Sequence, residues 1–143
     1  MGGNAYRSAH HAASPELLDL CDELGIMVME EHRVLESSEL KLNELKEMVL
    51  RDRNHPSIIF WSLSNEEIIG STKIAERMAK RIAMTIRNLD KERLLVSAEL
   101  LSLEGIISEE YKDIFDVIGV NYPESPVMGE GLNNIKKRYP NQP

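Results

Sequence analysis

Strand-like and helix-like segments alternate along the whole of this 143-residue sequence, and this alternation constrains the fold more than any other feature. Short apolar runs such as Ile26-Met27-Val28-Met29 are typical of strands that are buried on both faces. Each run is followed by a segment whose apolar residues recur at helical spacing. Strands that alternate with helices form a parallel sheet covered by helices, because parallel neighbours need right-handed crossover connections. The sequence therefore predicts an α/β protein built from about five βα units.

Local signals place the helices. Ser14-Pro15-Glu16 is a typical helix start, because serine caps free amides and proline fits the first turn, and Gly25 is placed to end this helix. Ser37 and Ser38 open a second helix, which His55-Pro56 stops. A third helix is expected from about Ser71 to Leu89. Its predicted buried stripe consists of Ile74, Met78, Ile82, Ile86 and Leu89. Strands are expected at residues 4–8, 26–29, 57–63, 94–96 and 117–120.

Composition narrows the classes of function. The net charge of −7 argues against a nucleic-acid partner, since phosphate binding needs a concentrated basic surface. No apolar run approaches the roughly 18 residues that cross a bilayer, and the N-terminus lacks a signal-peptide pattern. The length suits one domain over residues 1–143, with Cys21 as a small core residue. We expect a soluble chain, either cytoplasmic, or periplasmic or secreted as part of a larger enzyme.

Polar residues gather where the predicted strands end. In parallel βα folds, function collects in the loops that follow the C-terminal ends of the strands. The residues at these ends are Arg7, His10 and His11, then Glu30, Glu31, His32 and Arg33, then Asn65, Glu66 and Glu67, then Glu99, and last Asn121 and Tyr122. A single glutamate at a strand end is more often a solvated loop residue, but the whole set predicts a polar pocket.

This pocket suits the cleavage of a glycosidic bond. Such a reaction needs one carboxylic acid to protonate the leaving oxygen and a second carboxylate as nucleophile or base. The candidates are Glu66 as the acid, Asn65, Arg7 and His10 as donors to sugar hydroxyls, and Trp61 or Tyr122 as an aromatic surface. The alternative for Trp61 is an ordinary core residue of a strand. The pair His10-His11 with the acidic residues near it lacks a metal-ligand signature such as HExxH, so we expect no metal or cofactor.

The run from Met48 to Glu66, which contains Arg51-Asp52-Arg53-Asn54-His55-Pro56-Ser57 and ends in Asn65-Glu66, resembles the acid/base signature of glycoside hydrolase family 2. That family holds β-galactosidases, β-glucuronidases and β-mannosidases, and it usually has glycine at the position of Ser64. Further segments resemble the family in the same order. These are residues 3–10 for the second barrel strand, 19–25 for the helix after it, 28–31 for the third strand, 121–122 for the sixth, and 139–143 for the approach to the seventh.

The resemblance implies a partial (β/α)8 TIM barrel, with strands two to six of the family barrel and no closure on its own. It implies that Glu66 is the general acid/base, that Asn65 binds the 2-hydroxyl of the sugar, and that Tyr122 orients the nucleophile. Arg7 and His10 would line the subsite of the non-reducing sugar. Glu31 would support the pocket floor. No metal is implied, because Leu35 falls where an acidic ligand would be needed.

A retaining mechanism also needs a second glutamate, roughly 5 Å from the first. In the family this nucleophile follows a stretch like Tyr139–Pro143, so we expect a fragment that lacks it and is inactive alone. Open sheet edges favour self-association or completion by the rest of a parent chain. A β-galactoside-like substrate is favoured. The alternatives are a non-catalytic carbohydrate-binding or structural half-barrel, and a flavodoxin-like domain, for which no Gly-rich phosphate loop is present.

Overall fold

Strands and helices alternate in the computed structural model, which describes residues 2–67, 72–99, 108–122, 129–141 and 143. The strands are β1 (Ala5–Arg7), β2 (Met27–Glu31), β3 (Ile58–Asn65), β4 (Leu94–Glu99) and β5 (Val117–Val120). The helices are α1 (Pro15–Leu24), α2 (Glu39–Asp52), α3 (Lys73–Leu89), α4 (Glu109–Lys112) and α5 (Gly129–Arg138). The predicted βα alternation is confirmed.

The five strands form one parallel sheet in the order β1-β2-β3-β4-β5, which is also their order in the chain. Within the described ranges, β1 and β5 each pair with a single strand, so the sheet is open at both edges. The amide of Ile118 in β5 donates to the carbonyl of Pro143 at 3.1 Å. Consecutive parallel strands with a helix after each are the units of a TIM barrel. The partial, unclosed barrel that the sequence predicts is therefore the observed architecture.

Capping residues confirm the predicted start and end of α1 and the predicted start of α2. Ser14 caps α1 and accepts from the amide of Leu17, and Gly25 ends α1 in the left-handed conformation at φ 69°. Ser38 caps α2 in the same way. Thr72 caps α3, while Ser71, the expected start of this helix, lies outside the described residues.

The buried face of α3 differs from the predicted stripe at one position. Ile82 and Ile86 are buried as expected, but Ile74 is 59 % exposed. The other buried apolar positions of α3 are alanines, namely Ala75, Ala79 and Ala83. The buried face of α3 therefore consists of these alanines together with Ile82 and Ile86, and Ile74 lies outside it.

The apolar core lies between the sheet and the helices that cover it. It includes Leu18, Leu45, Val49, Trp61, Leu63, Ile82, Ile86 and Leu95, each with no exposed surface. The opposite face of the sheet carries polar side chains near the C-terminal ends of the strands, where Glu31 and Ser62 are hydrogen-bonded to each other. No helix in the described part of the chain is long and apolar enough to span a membrane.

Candidate active site

The C-terminal ends of four strands bring one polar cluster together. Arg7 ends β1, Glu31 ends β2, Asn65 ends β3, and Asn121 follows β5. Arg7 Nη2 donates to Asn65 Oδ1 at 2.7 Å, and Arg7 Nη1 lies 3.3 Å from Asn121 Oδ1. In a flat sheet β1 and β5 would be four strand spacings apart, or roughly 19 Å. The sheet must therefore curve strongly, and its curvature turns four separate strand ends into one site.

Glu31 is the buried anchor of this cluster, with no exposed surface. Its Oε2 accepts from Arg7 Nε at 2.7 Å and from Ser62 Oγ at 3.0 Å, while His10 Nδ1 lies 3.0 Å from Oε1. A buried carboxylate is costly unless it is paired and hydrogen-bonded, and these three partners satisfy it. Glu31 therefore fixes the positions of Arg7 and His10.

Glu66 follows β3 directly and lies at the centre of the rim. Its amide donates to the carbonyl of Ala98 at 2.8 Å, and its Oε1 accepts from Asn121 Nδ2 at 2.7 Å. Its backbone has a φ of 55°, in the left-handed region. Such a conformation costs a non-glycine residue on the order of 1–3 kcal/mol, and it persists where the surrounding structure enforces it. The backbone therefore aims the carboxyl group of Glu66 across the rim at a cost in strain.

Tyr122 is the other described non-glycine residue with a positive φ, at 54°. A hydrogen bond to Glu66, together with the charge of that carboxylate, raises the pKa of the Tyr122 hydroxyl. Its side chain is otherwise open, with 55 % of the residue exposed. The resemblance implied a contact between Tyr122 and a nucleophile. In this structure the described group that acts on its hydroxyl is the carboxylate of Glu66.

Asn121 was not among the residues assigned a role from the sequence. Its Nδ2 donates to Asn65 Oδ1 at 3.0 Å as well as to Glu66, and its backbone amide donates to the carbonyl of Glu99 at 3.1 Å. The sequence signal that could have identified Asn121 as a site residue was its position directly after a strand. Its reach across β4 to β3 depends on the curvature of the sheet, which the sequence does not display.

Trp61 is a buried core residue and does not line the site. Its side chain has no exposed surface, Nε1 donates to Asp90 Oδ2 at 2.9 Å, and the guanidinium of Arg93 lies 5.8 Å from its ring centroid. Side chains alternate between the faces of a strand, and the neighbouring Ser62 points to Glu31 in the site. Trp61 therefore points into the helical layer, and the interpretation of Trp61 as a sugar-binding surface is wrong.

Two acidic residues expected at the rim also face away from it. Glu30 is buried, and its Oε1 accepts from the amide of Ala13 at 2.7 Å. Glu99 is 7 % exposed, and it accepts from Ser97 Oγ and from the hydroxyl of Tyr111. Burial raises the pKa of both carboxyl groups, because it disfavours their charged forms. The carboxylates that the described cluster brings together are those of Glu31 and Glu66.

Comparison with known proteins identifies the family. The family described as "Glycosyl hydrolases family 2, TIM barrel domain" matches residues 1–42 and 35–143. The chain belongs to glycosyl hydrolase family 2. Among the curated proteins of the family, it is 35 % identical over 121 residues to the β-galactosidase BoGH2A of Bacteroides ovatus, covering 73 % of this chain and 13 % of that protein. It is 32 % identical over 130 residues to the β-glucuronidase of Sus scrofa, covering 82 % of this chain and 19 % of that protein.

Solved structures of family 2 enzymes share the fold. A family 2 member from Bacteroides cellulosilyticus superposes with a TM-score of 0.82 at 31 % identity, covering 99 % of this chain and 19 % of that one. A β-galacturonidase of the family from Eisenbergiella tayi, bound to galacturonate, superposes with a TM-score of 0.79 at 26 % identity, covering 98 % of this chain and 27 % of that one. The chain thus spans 13–27 % of the length of these four proteins.

Proposed function

We propose that residues 1–143 form one piece of a retaining β-glycosidase catalytic domain, in which Glu66 is the general acid/base. The observation that carries the proposal is the geometry around Glu66. Its carboxyl group follows a strained backbone, accepts from Asn121, and lies beside an amide-rich cluster that Arg7 and Glu31 hold in place. Such a group, fixed near polar donors, suits the protonation of a leaving glycosidic oxygen.

The proposed roles of the other site residues follow from their contacts. Asn65 Oδ1 accepts from Arg7 and Asn121, which leaves its amide protons available for the 2-hydroxyl of a sugar. His10 has an exposed side chain that Glu31 orients, so it would contact sugar hydroxyls at the open side of the site. Tyr122 is placed to hold the carboxyl group of Glu66 in position, and in a complete site it would also contact the nucleophile.

We propose that the chain alone does not complete the double-displacement cycle. A retaining enzyme needs a free carboxylate roughly 5 Å from the acid/base. The second carboxylate of the described cluster, Glu31, is occupied by Arg7, His10 and Ser62. We favour a β-galactoside as substrate, supported by the similarity to a protein named as a β-galactosidase, while other relatives carry the name β-glucuronidase.

An external nucleophile tests the role of Glu66 directly. Azide can attack C1 of an aryl β-glycoside while the bond from C1 to the aryl oxygen breaks and Glu66 donates its proton to that oxygen. The products would be a glycosyl azide and a phenol. With azide, the unmodified chain should form the glycosyl azide, and without azide it should show little hydrolysis. The Glu66→Gln variant should show neither the azide reaction nor hydrolysis. Equal yields from Glu66→Gln and the unmodified chain would refute the assignment.

The second candidate is a carbohydrate-binding half-barrel without catalysis, favoured by the full engagement of Glu31. Calorimetry with methyl β-galactoside and methyl β-glucuronide separates the two functions and ranks the two sugars. Asn65→Ala should abolish binding, whereas Asn43→Ala, on the exposed face of α2, should leave it unchanged. Binding without any azide product would support the second candidate.

We also propose that the chain self-associates through its open edges, with completion by the rest of a parent chain as the competing outcome. Unpaired strand edges recruit further strands. An apolar cavity of about 300 Å³ beside β5, lined by residues such as Ile118, Val120, Leu132 and Ile135, adds surface that a partner would cover. Light scattering on the 143-residue chain should give a mass above 16.3 kDa that falls on dilution. A monomer at all concentrations would contradict self-association.

A further inference from the structure

A second cavity, of about 280 Å³ and lined by several charged residues, lies beside the candidate active site. The loop after β1, the loop after β2 and the first turns of α2 form its walls. Its lining residues are His11, Ala12, Glu31, His32, Arg33, Val34, Lys41, Glu44 and Met48. Glu31 is shared with the catalytic cluster, so the cavity adjoins the place where the sugar would bind.

The polar side chains of this cavity that lack hydrogen-bond partners among the described residues carry nitrogen atoms. Nδ1 of His32 has no hydrogen-bond partner within the described residues, although His32 is only 9 % exposed. Arg33 and His11 are exposed and make no side-chain hydrogen bond or ion pair with any residue that the structure describes. A buried polar atom without a partner costs about 1–3 kcal/mol, so an unmatched one suggests a ligand or a water at this place.

The acidic groups of the same cavity are already occupied. Glu31 is bound by Arg7, His10 and Ser62, and Glu44 accepts from Lys41 Nζ at 2.7 Å. The cavity therefore offers unused cationic and donor groups but no unused carboxylate. A guanidinium presents planar paired donors that match carboxylate and sulfate oxygens.

We propose that this cavity binds an anionic substituent of the carbohydrate, a carboxylate or a sulfate ester, through Arg33, His32 and His11. The identification of the ligand as part of a carbohydrate rests on the proposed function, whereas the anion site itself does not. Because Glu31 joins the cavity to the catalytic cluster, one carbohydrate chain can place its reacting sugar at Glu66 and an anionic group at Arg33. The cavity would then select charged over neutral glycans.

Binding of an anion in this cavity should favour the protonated form of His32. Burial, followed by the charge of Lys41, lowers the pKa of His32, while Glu44, an interaction with the backbone of Val34, and Glu36 oppose this effect. The other charged or titratable groups that line the cavity are His11, Glu31 and Arg33. An anion beside His32 favours the charged imidazolium, so binding should raise its pKa. By linkage, the affinity for the anion should increase as the pH falls.

Nuclear magnetic resonance on the isotope-labelled 143-residue chain tests the site. The probes are sodium sulfate and D-glucuronate, with sodium chloride at matched ionic strength and D-glucose as controls. We expect saturable shifts of the Arg33 side-chain signals and the His32 ring signals with both probes, and a higher His32 pKa in sulfate. Arg33→Gln should weaken sulfate binding about tenfold, the loss expected for one charge-assisted contact. Lys46→Gln, which removes one charge from the exposed face of α2, should leave it unchanged.

Three results would overturn the proposal. Equal shifts with sodium chloride would indicate general screening, equal shifts with D-glucose would indicate a neutral sugar site, and equal effects of Arg33→Gln and Lys46→Gln would remove the specific role of Arg33. Sulfate contains no sugar, so its binding at Arg33 does not depend on glycosidase activity. Conversely, loss of the azide reaction at Glu66 leaves the sulfate result intact, and the two failures can be told apart.

Discussion

Asp90 gives a sharp test of how the helical layer is attached to the sheet. The residue is 8 % exposed, and its Oδ2 accepts from Trp61 Nε1 at 2.9 Å and from Arg93 Nη1 at 2.6 Å. Its Oδ1 accepts from the amides of Glu92 and Arg93. Burial alone would raise the pKa of Asp90, but these hydrogen bonds outweigh burial and lower it from 3.8 to about 2.

This lowering corresponds to about 2 kcal/mol of stability, because each pKa unit is worth about 1.4 kcal/mol. The unfolded chain binds more protons than the folded chain between pH 2 and 3.8, so the free energy of unfolding rises with pH in that window. The contribution is fully present above the unfolded pKa and is lost as the pH falls through the folded one. Asp90→Asn should therefore cost about 2 kcal/mol near neutral pH and much less at pH 2.

Trp61 is the single tryptophan of the chain and contacts Asp90 directly, so its fluorescence reports unfolding at this place. Urea titrations followed by Trp61 fluorescence give the free energy of unfolding at each pH. Glu23→Gln removes the same charge from an exposed position on α1 and serves as the matched control. A difference between wild type and Asp90→Asn that stays constant from neutral pH to pH 2 would refute the linkage argument.

Three further predictions concern the rim and the sheet. Gly119→Ala places a Cβ 2.9 Å from a backbone carbonyl oxygen of β4, so urea unfolding should show a loss of about 1–3 kcal/mol, and an unchanged midpoint would contradict this contact. Glu66→Gln removes the carboxylate whose hydrogen bond and charge raise the pKa of Tyr122, so the ring signals of Tyr122 should titrate at lower pH; an unshifted titration would contradict this interaction. Glu99 has a pKa raised above 4.5 by burial, so the folded state binds the extra proton. Wild type should therefore lose stability relative to Glu99→Gln as the pH rises from 4.5 towards neutrality, and parallel pH profiles would argue against that burial effect.

The sequence by itself determined the order and type of the elements. Capping at Ser14 and Ser38, the left-handed stop at Gly25 and the apolar strands are local effects, set by residues close to one another in the chain. The position of Glu66 directly after a buried strand was equally visible, because parallel strands bring their C-terminal ends to one edge of a sheet. These features needed no knowledge of the distant packing.

Only the tertiary structure decided which polar residues meet. Glu30 and Glu31 are the same residue type at adjacent positions, yet the alternation of the strand sends one to Ala13 and the other to Arg7. The choice of face depends on the register with the neighbouring strands. The contact from Arg7 to Asn121 joins residues 114 positions apart and exists only because the sheet curves. Curvature arises from the packing of all five βα units together, which no single segment of the sequence encodes.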